Sequence, residues 1–252
     1  MLQPGDPPVF ELLREAAASP FLLTADHAGR VIPAALGDLG VAAAEMDRHI
    51  AWDIGIAGVT RSLSAALDAT AILQTYSRLV IDCNRPPHVP SAFPEISEAT
   101  PILGNLGLSA AAKTARQTAI FDPYHGAISS LIQGRARTIY VAMHSFTPVY
   151  LGRARLMHAA VLYHRNPRLS KILATYLRAE SDLVVAENEP YKVSDETDYG
   201  VPVHAERQGL DYLEIEIRQD LIADAAGQKA WAARLARLLP LALQQLDQPA
   251  DG

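Results

Sequence analysis

Short apolar runs of strand length alternate with longer amphipathic stretches along this chain. Phe21-Leu22-Leu23-Thr24-Ala25 is the first such run, and it ends abruptly in Asp26-His27-Ala28-Gly29. Thr70 to Thr75 and Leu79 to Asp82 follow as two strands split by Tyr76-Ser77-Arg78. Thr138 to Met143 is a β-branched, apolar strand that delivers His144 at its end. Ala159 to Tyr163 and Leu183 to Ala186 are further strand candidates, and Tyr212 to Arg218 alternates residue by residue. A period of two is that of a strand with unlike faces.

Between these runs the spacing becomes helical. Pro7 to Ala18 predicts a short helix, with Val9, Leu12, Leu13 and Ala16 in step, and Asp53 to Leu67 an amphipathic one. Ser109 caps a helix reaching about Phe121. Asp122-Pro123 breaks it, and Pro123 suits the first turn of a second helix ending near Gln133-Gly134. Asn166-Pro167 starts a helix to Ala179, and Asp224 to Leu246 forms the last one. Two segments keep no period: Cys83 to Leu108, with five prolines, and the polar stretch Glu189 to Gln208. Loops of that length inside a compact fold are usually functional or disordered.

Strands alternating with helices predict an α/β fold, a three-layer α/β/α sandwich with a mainly parallel (mixed) sheet and helices on both faces. No repeat, low-complexity tract or linker separates two cores, so residues 1–252 are expected to form a single domain.

Composition narrows the function. Of 252 residues, 49% are hydrophobic and 20% charged, enough to build a core without disulfide staples. Cys83 is the only cysteine, which excludes an intramolecular disulfide and a cysteine-rich zinc site. The 22 basic and 28 acidic residues leave a net charge of −6 with no basic block, which argues against a nucleic-acid partner. The longest uncharged apolar stretch, Thr138 to Gly152, is too short for a membrane span and contains His144 and Pro148. Residues Met1 to Asp6 lack the basic and apolar regions of a signal peptide. A cytoplasmic protein with no nucleic-acid or membrane partner is expected. Its oligomeric state is left open.

In open α/β sheets, ligands bind outside the carboxyl ends of the strands. Five predicted strand ends carry ionisable groups: Asp26 and His27; Asp82, Asn84 and Arg85; His144 and Ser145; Glu187, Asn188 and Glu189; and Glu214, Glu216 and Arg218. One such end would mean little, but five together suggest a metal or acid–base site. His27 and His144 fit metal ligation or plain strand-end hydrogen bonding. His49 and Asp53, four apart, can share one face at a helix start. Asp53 there fits a third ligand, a partner orienting an imidazole, or an N-cap. Arg78 and Arg85 flank a strand, and guanidinium groups suit carboxylate recognition, while Arg78 equally suits a structural pair with Asp82. Glu214, Glu216 and Arg218 share one strand face, which fits a general base beside a substrate-binding arginine. No GxSxG elbow, phosphate-binding loop or dinucleotide fingerprint is present.

Thr24-Ala25-Asp26-His27-Ala28-Gly29-Arg30-Val31-Ile32-Pro33, Asp47 to Gly55, Ser77 to Pro86, His144-Ser145-Phe146-Thr147-Pro148 and Ile215 to Leu221 occur in that order. Together they resemble the N-formylglutamate amidohydrolase family over about Phe21 to Leu221. The resemblance implies a zinc-peptidase-like α/β fold and metal-dependent hydrolysis of a small N-acyl amino acid, N-formyl-L-glutamate giving formate and L-glutamate in histidine degradation. It implies a divalent metal, with zinc the expected ion, on His27 and His144. The family's relatives place an early acidic ligand three residues after the first histidine. Arg30 stands there in this chain, so Asp53 is chosen over Asp82 as third ligand. Glu216 is then the catalytic base. Arg78, Asn84, Arg85 and Arg218 bind the small anionic substrate. A non-catalytic binder of anionic metabolites and a deacylase or carboxypeptidase of related fold are the alternatives.

Overall fold

A computed structural model describes residues 1–248. Its strands are β1 (Phe10–Leu13), β2 (Phe21–Ala25), β3 (Thr70–Gln74), β4 (Ile96–Ser97), β5 (Thr100–Pro101), β6 (Ile139–Phe146), β7 (Val149–Tyr150), β8 (Arg153–Ala154), β9 (Ala159–Leu162), β10 (Val185–Glu187) and β11 (Asp211–Arg218). The α-helices are α1 (Ala43–Met46), α2 (Ile56–Leu67), α3 (Ala110–Arg116), α4 (Asp122–Gln133), α5 (Arg168–Arg178) and α6 (Ala225–Leu246). Seven strands form one mixed sheet in the order β1-β3-β2-β6-β11-β9-β10, while β4-β5 and β7-β8 are small hairpins.

The parity of strand residues divides the core in two. Phe21, Leu23 and Ala25, Ile139, Val141 and Met143, and Leu213, Ile215 and Ile217 pack with α2, α5 and α6 on one face. Leu22, Tyr140, Ala142 and Tyr212 pack on the other with Phe121, Tyr124 and Ile128 and with the long loops. A period of two then carries Thr24, His144, Glu214 and Glu216 onto this second face. The sheet is therefore sandwiched as the alternation implied.

Parallel pairing of β3, β2, β6 and β11 aligns their carboxyl ends along one sheet edge. Along this edge Glu216 of β11 lies in register with His144 of β6, and Glu214 with Ala142. In contrast, β9 runs antiparallel to β11, and β10 follows β9. Glu187 thus leaves at the far edge, where it accepts from Tyr163 and Arg178. Direction is what removes this fourth strand end from the group the sequence suggested.

Three local expectations give way to tertiary context. Residues 7–18 form no helix; Phe10–Leu13 instead adds an antiparallel strand to β3. Leu79 to Asp82 is buried but is a turn, because Leu79 and Val80 carbonyls accept from the side chains of Asn105 and Arg116 rather than from a neighbouring strand. Asp122-Pro123 does not break the helix: a π-type turn over Gln117–Phe121 joins α3 to α4, a wider turn that makes room for the proline ring. No helix among the described residues is long and apolar enough to cross a membrane.

Gly55 opens α2 at φ +81°, and a Cβ there would lie 2.0 Å from the Ile222 carbonyl oxygen. Gly55→Ala is expected to destabilise the fold by more than about 1 kcal/mol, lowering the melting temperature by about 2–4 °C for each kcal/mol. Thermal unfolding by circular dichroism measures it, and an unchanged midpoint would contradict this packing.

Candidate active site

The polar centre is assembled by backbone links between distant segments. The Asp53 N–H donates to the His27 carbonyl (2.9 Å), tying the segment before α2 to the end of β2. The Asp53 carboxylate accepts from His144 Nδ1 at 2.9 Å and from the Ser145 backbone N–H at 3.2 Å. Asp53 therefore caps no helix with its side chain; it clasps β6. Nor does it share a helix face with His49, because α1 ends at Met46 and α2 begins at Ile56. His27 Nε2 lies 2.7 Å from Asp82 Oδ1. That edge of the ring donates to the Asp82 carboxylate, and Nδ1 is the nitrogen turned toward Asp53. Arg78 completes the chain of charges, donating to Asp82 Oδ2 at 2.8 and 3.1 Å and reaching Asp53 Oδ1 at 3.4 Å.

Burial makes these pairings decisive. Asp53, Asp82, His27 and His144 are each at most 4% exposed, and a buried charge persists only when paired. Against its burial, Asp53 is held far below the usual carboxylate range by the two imidazoles. Asp82 is likewise held low, by Arg78 and His27. Burial alone would depress His144, but the Asp53 bond outweighs it and raises it to about 10. Burial pushes Glu214 and Glu216 up to about 8 each.

Among the described residues, five of the nine buried side-chain atoms lacking a hydrogen-bond partner converge here: Asp26 Oδ2, His27 Nδ1, His144 Nε2, Glu214 Oε2 and Glu216 Oε2. Buried polar groups are ordinarily satisfied, so such a concentration marks a place for a ligand or ion. His27 Nδ1 faces Asp53 Oδ2 at 3.6 Å, beyond hydrogen-bond distance. His27, Asp53 and His144 each offer a ligand atom within 4.8 Å of the others. Two imidazoles and one carboxylate are a donor set suited to Zn²⁺, and the Asp82–His27 bond is the outer contact that orients such a ligand. The residues present fit a divalent metal.

Beside this cluster opens a cavity of about 290 Å³, lined among others by Arg78, Asn84, Arg85, Lys192, Glu214 and Glu216. The fold thus brings His27, Asp53, His144, Glu216, Arg78, Asn84 and Arg85 to one place. Arg218 does not join them. It stands at the end of β11, where its guanidinium donates to Asp220 at 2.8 Å and to the carbonyls of Leu156 and Met157 at 3.3 Å, outside the cavity lining. Its expected place at the substrate is corrected by the turn at Gln219–Leu221, which ends the strand's period. The Asn84 side chain is engaged too: its Oδ1 accepts from the N–H groups of Tyr199 and Gly200, and its Nδ2 donates to Asp198. It pins the second long loop over the site. That loop supplies Tyr191, Lys192, Thr197 and Asp198, which sequence spacing did not single out.

The sequence profile of the N-formylglutamate amidohydrolase family matches residues 19–223. The crystal structure of gene product Atu2144 from Agrobacterium tumefaciens is similar over 98% of this chain and 99% of its own, at 37% identity and a TM-score of 0.94. An N-formylglutamate amidohydrolase from Ralstonia eutropha JMP134 is similar in fold at 22% identity and a TM-score of 0.69, over 93% of this chain and 97% of its own. No curated protein sequence matches the chain significantly.

The raised carboxyls make a prediction about pH. A carboxyl raised in the folded state binds its proton more tightly there than in the unfolded chain, so stability falls as pH rises from the ordinary glutamate range toward about 8. Glu214→Gln in metal-free protein is expected to raise the melting temperature at pH 8.5 and to change it little at pH 4.5. An equal shift at both pH values would refute the assignment.

Proposed function

The chain belongs to the N-formylglutamate amidohydrolase family and is a hydrolase acting on amide bonds, and from this premise we propose that it hydrolyses N-formyl-L-glutamate to formate and L-glutamate with the help of a bound divalent metal, zinc being the expected ion. The observation that supports this most is the grouping of His27, Asp53 and His144, with His27 Nδ1 and His144 Nε2 unpartnered, beside two buried glutamates.

Hydrolysis needs a proton taken from water and a proton given to the departing amine. Glu216, adjacent to His144 in register and buried at the cavity wall, is positioned for both transfers. Burial raises its pKa to about 8, close to neutral pH, so its ionised form can take the water proton and then hold it for the leaving nitrogen. His27, Asp53 and His144 would hold the metal, which when bound polarises a carbonyl and acidifies water. Asp82 keeps the His27 ring in one tautomer, and Arg78 keeps Asp82 ionised.

N-formylglutamate carries two carboxylates, and with a net charge of −6 the protein as a whole repels them. Local cations must therefore do the binding. Arg78 spends three of its contacts on Asp82 and Asp53. Arg85 and Lys192, both in the cavity wall, are the better-placed pair. Arg85 is anchored through one nitrogen, Nη1, to the backbone carbonyls of Asn84 and Thr197.

Exhaustive chelation is expected to abolish amide hydrolysis and Zn²⁺ to restore it, with unchanged turnover in the chelated protein sinking the metal assignment. Glu216→Gln is expected to lower kcat by about 10²–10⁴ while metal content, read by elemental analysis, stays the same; an active variant would shift the proton transfer to Glu214. A panel of N-formyl, N-acetyl and N-succinyl amino acids then fixes the acyl group, and faster hydrolysis of a longer acyl chain would overturn the formyl assignment.

A further inference from the structure

A second cavity of about 320 Å³ adjoins the first, and Arg78, Arg85 and Tyr191 line both. The far side is built by the first long loop and its surroundings: His49, Ser91, Ser97, Glu98 and Tyr150. This loop is not slack. Buried Arg116 donates to the carbonyls of Val80 (2.9 Å) and Gly104 (3.1 Å) and to Asn105 Oδ1 (2.6 Å), while Asn105 donates to the carbonyls of Leu79 and Pro94, both at 2.8 Å. A buried cation and a buried amide thus hold the wall in place before any ligand arrives. At its tip, between β4 and β5, Glu98 adopts φ +55°, a backbone conformation that costs a non-glycine residue energy and tends to persist at functional sites. An ion pair with Arg48 holds it there.

The charges of this second chamber are matched. Glu98 is paired with Arg48, Asp82 with Arg78, and Arg85 lies 3.7 Å from Asp198. What remains are Ile50, Pro94 and Ile96 and a set of neutral hydrogen-bonding groups: the hydroxyls of Ser91, Ser97, Tyr150 and Tyr191, and the His49 imidazole, which burial biases toward its neutral form. Such a mixed lining suits neither a second carboxylate nor a wholly aliphatic chain. It suits peptide groups. At the waist, Arg78 and Arg85 have N–H groups beyond those bonded within the protein, available to a carbonyl oxygen.

We propose that the second chamber is a subsite for an amide-linked extension of the substrate's α-carboxyl, so that the preferred substrate class is an N-acyl peptide beginning with an acidic residue rather than the single N-acyl amino acid. This rests on the deacylase reading above and deepens it. The scissile bond stays in the first cavity. The carbonyl that joins the first residue to the second lies at the Arg78–Arg85 waist, and the next residue occupies the chamber between Tyr150 and Ser97.

Two measurements on the full chain test it. Calorimetry compares binding of the product-like probes L-glutamate and L-glutamyl-L-alanine, and kinetics compares N-formyl-L-glutamate with N-formyl-L-glutamyl-L-alanine. The dipeptide forms are expected to bind, and to react in kcat/KM, about tenfold or more better, the gain from one or two net hydrogen bonds. Ser97→Trp, which fills the chamber, is expected to reduce the dipeptide-to-monomer ratio by about the same factor. Equal or weaker binding of the dipeptide by the unmodified protein overturns the proposal, whatever the variant does. Hydrolysis of N-formylglutamate with no gain from the dipeptide overturns the chamber alone. Tighter dipeptide binding without hydrolysis of either compound by the metal-loaded protein supports the chamber and overturns the deacylase reading.

Discussion

The Asp53 carboxylate, buried between two imidazoles and reached by one guanidinium, is the constraint on which the rest of the site depends. An ion removed from water must recover its lost hydration from neighbours. Asp53 recovers it from His144, the Ser145 N–H and Arg78, and its own backbone N–H holds the end of β2. Through these bonds the beginning of α2, the carboxyl ends of β2 and β6, and the turn that carries Arg78 and Asp82 are fixed relative to each other. Gly55, two residues on, lets the chain pass within contact of Ile222, a closeness that a side chain would prevent. The fold and the site are thus built by the same residues.

A second consequence is electrostatic. The Arg78–Asp82–His27 and Asp53–His144 pairings leave His27 Nδ1 and His144 Nε2 directed inward with no hydrogen-bond partner. Beside them Glu214 and Glu216, forced by β11's period of two onto the same sheet face, have pKa values raised by burial to about 8. Groups that differ this sharply in proton affinity, set within one cavity, are what acid–base chemistry at neutral pH requires. Of the three arginine and lysine side chains in the cavity wall, Arg78, Arg85 and Lys192, the last two come from the two segments that have no regular period.

Much of this was legible in the sequence because strand periodicity is local and strict. Phe21–Ala25, Ile139–Phe146 and Asp211–Arg218 could be read as strands, and parity alone put Glu214 and Glu216 on one face. The ordered motifs around His27, Asp53, Asp82 and His144 carried the family resemblance that the profile match over residues 19–223 supports. What was not legible follows from long-range geometry. Nothing in Val185–Glu187 tells that β10 runs against the central strands. Nothing in Phe10–Leu13 announces a partner in β3 sixty residues away. Arg218 keeps the parity of Glu216 but lies where the chain turns. Lys192 and Tyr191 reach the cavity only because Asn84 bonds the loop that carries them.

The central claim is that His27, Asp53 and His144 form a metal centre. X-ray absorption at the zinc edge of the zinc-loaded protein tests it directly, with an anomalous difference map locating the ion. The account predicts one ion within about 2.0–2.2 Å of a nitrogen from each imidazole and an oxygen of Asp53. An ion bound elsewhere, or a coordination shell without both histidines, would contradict it.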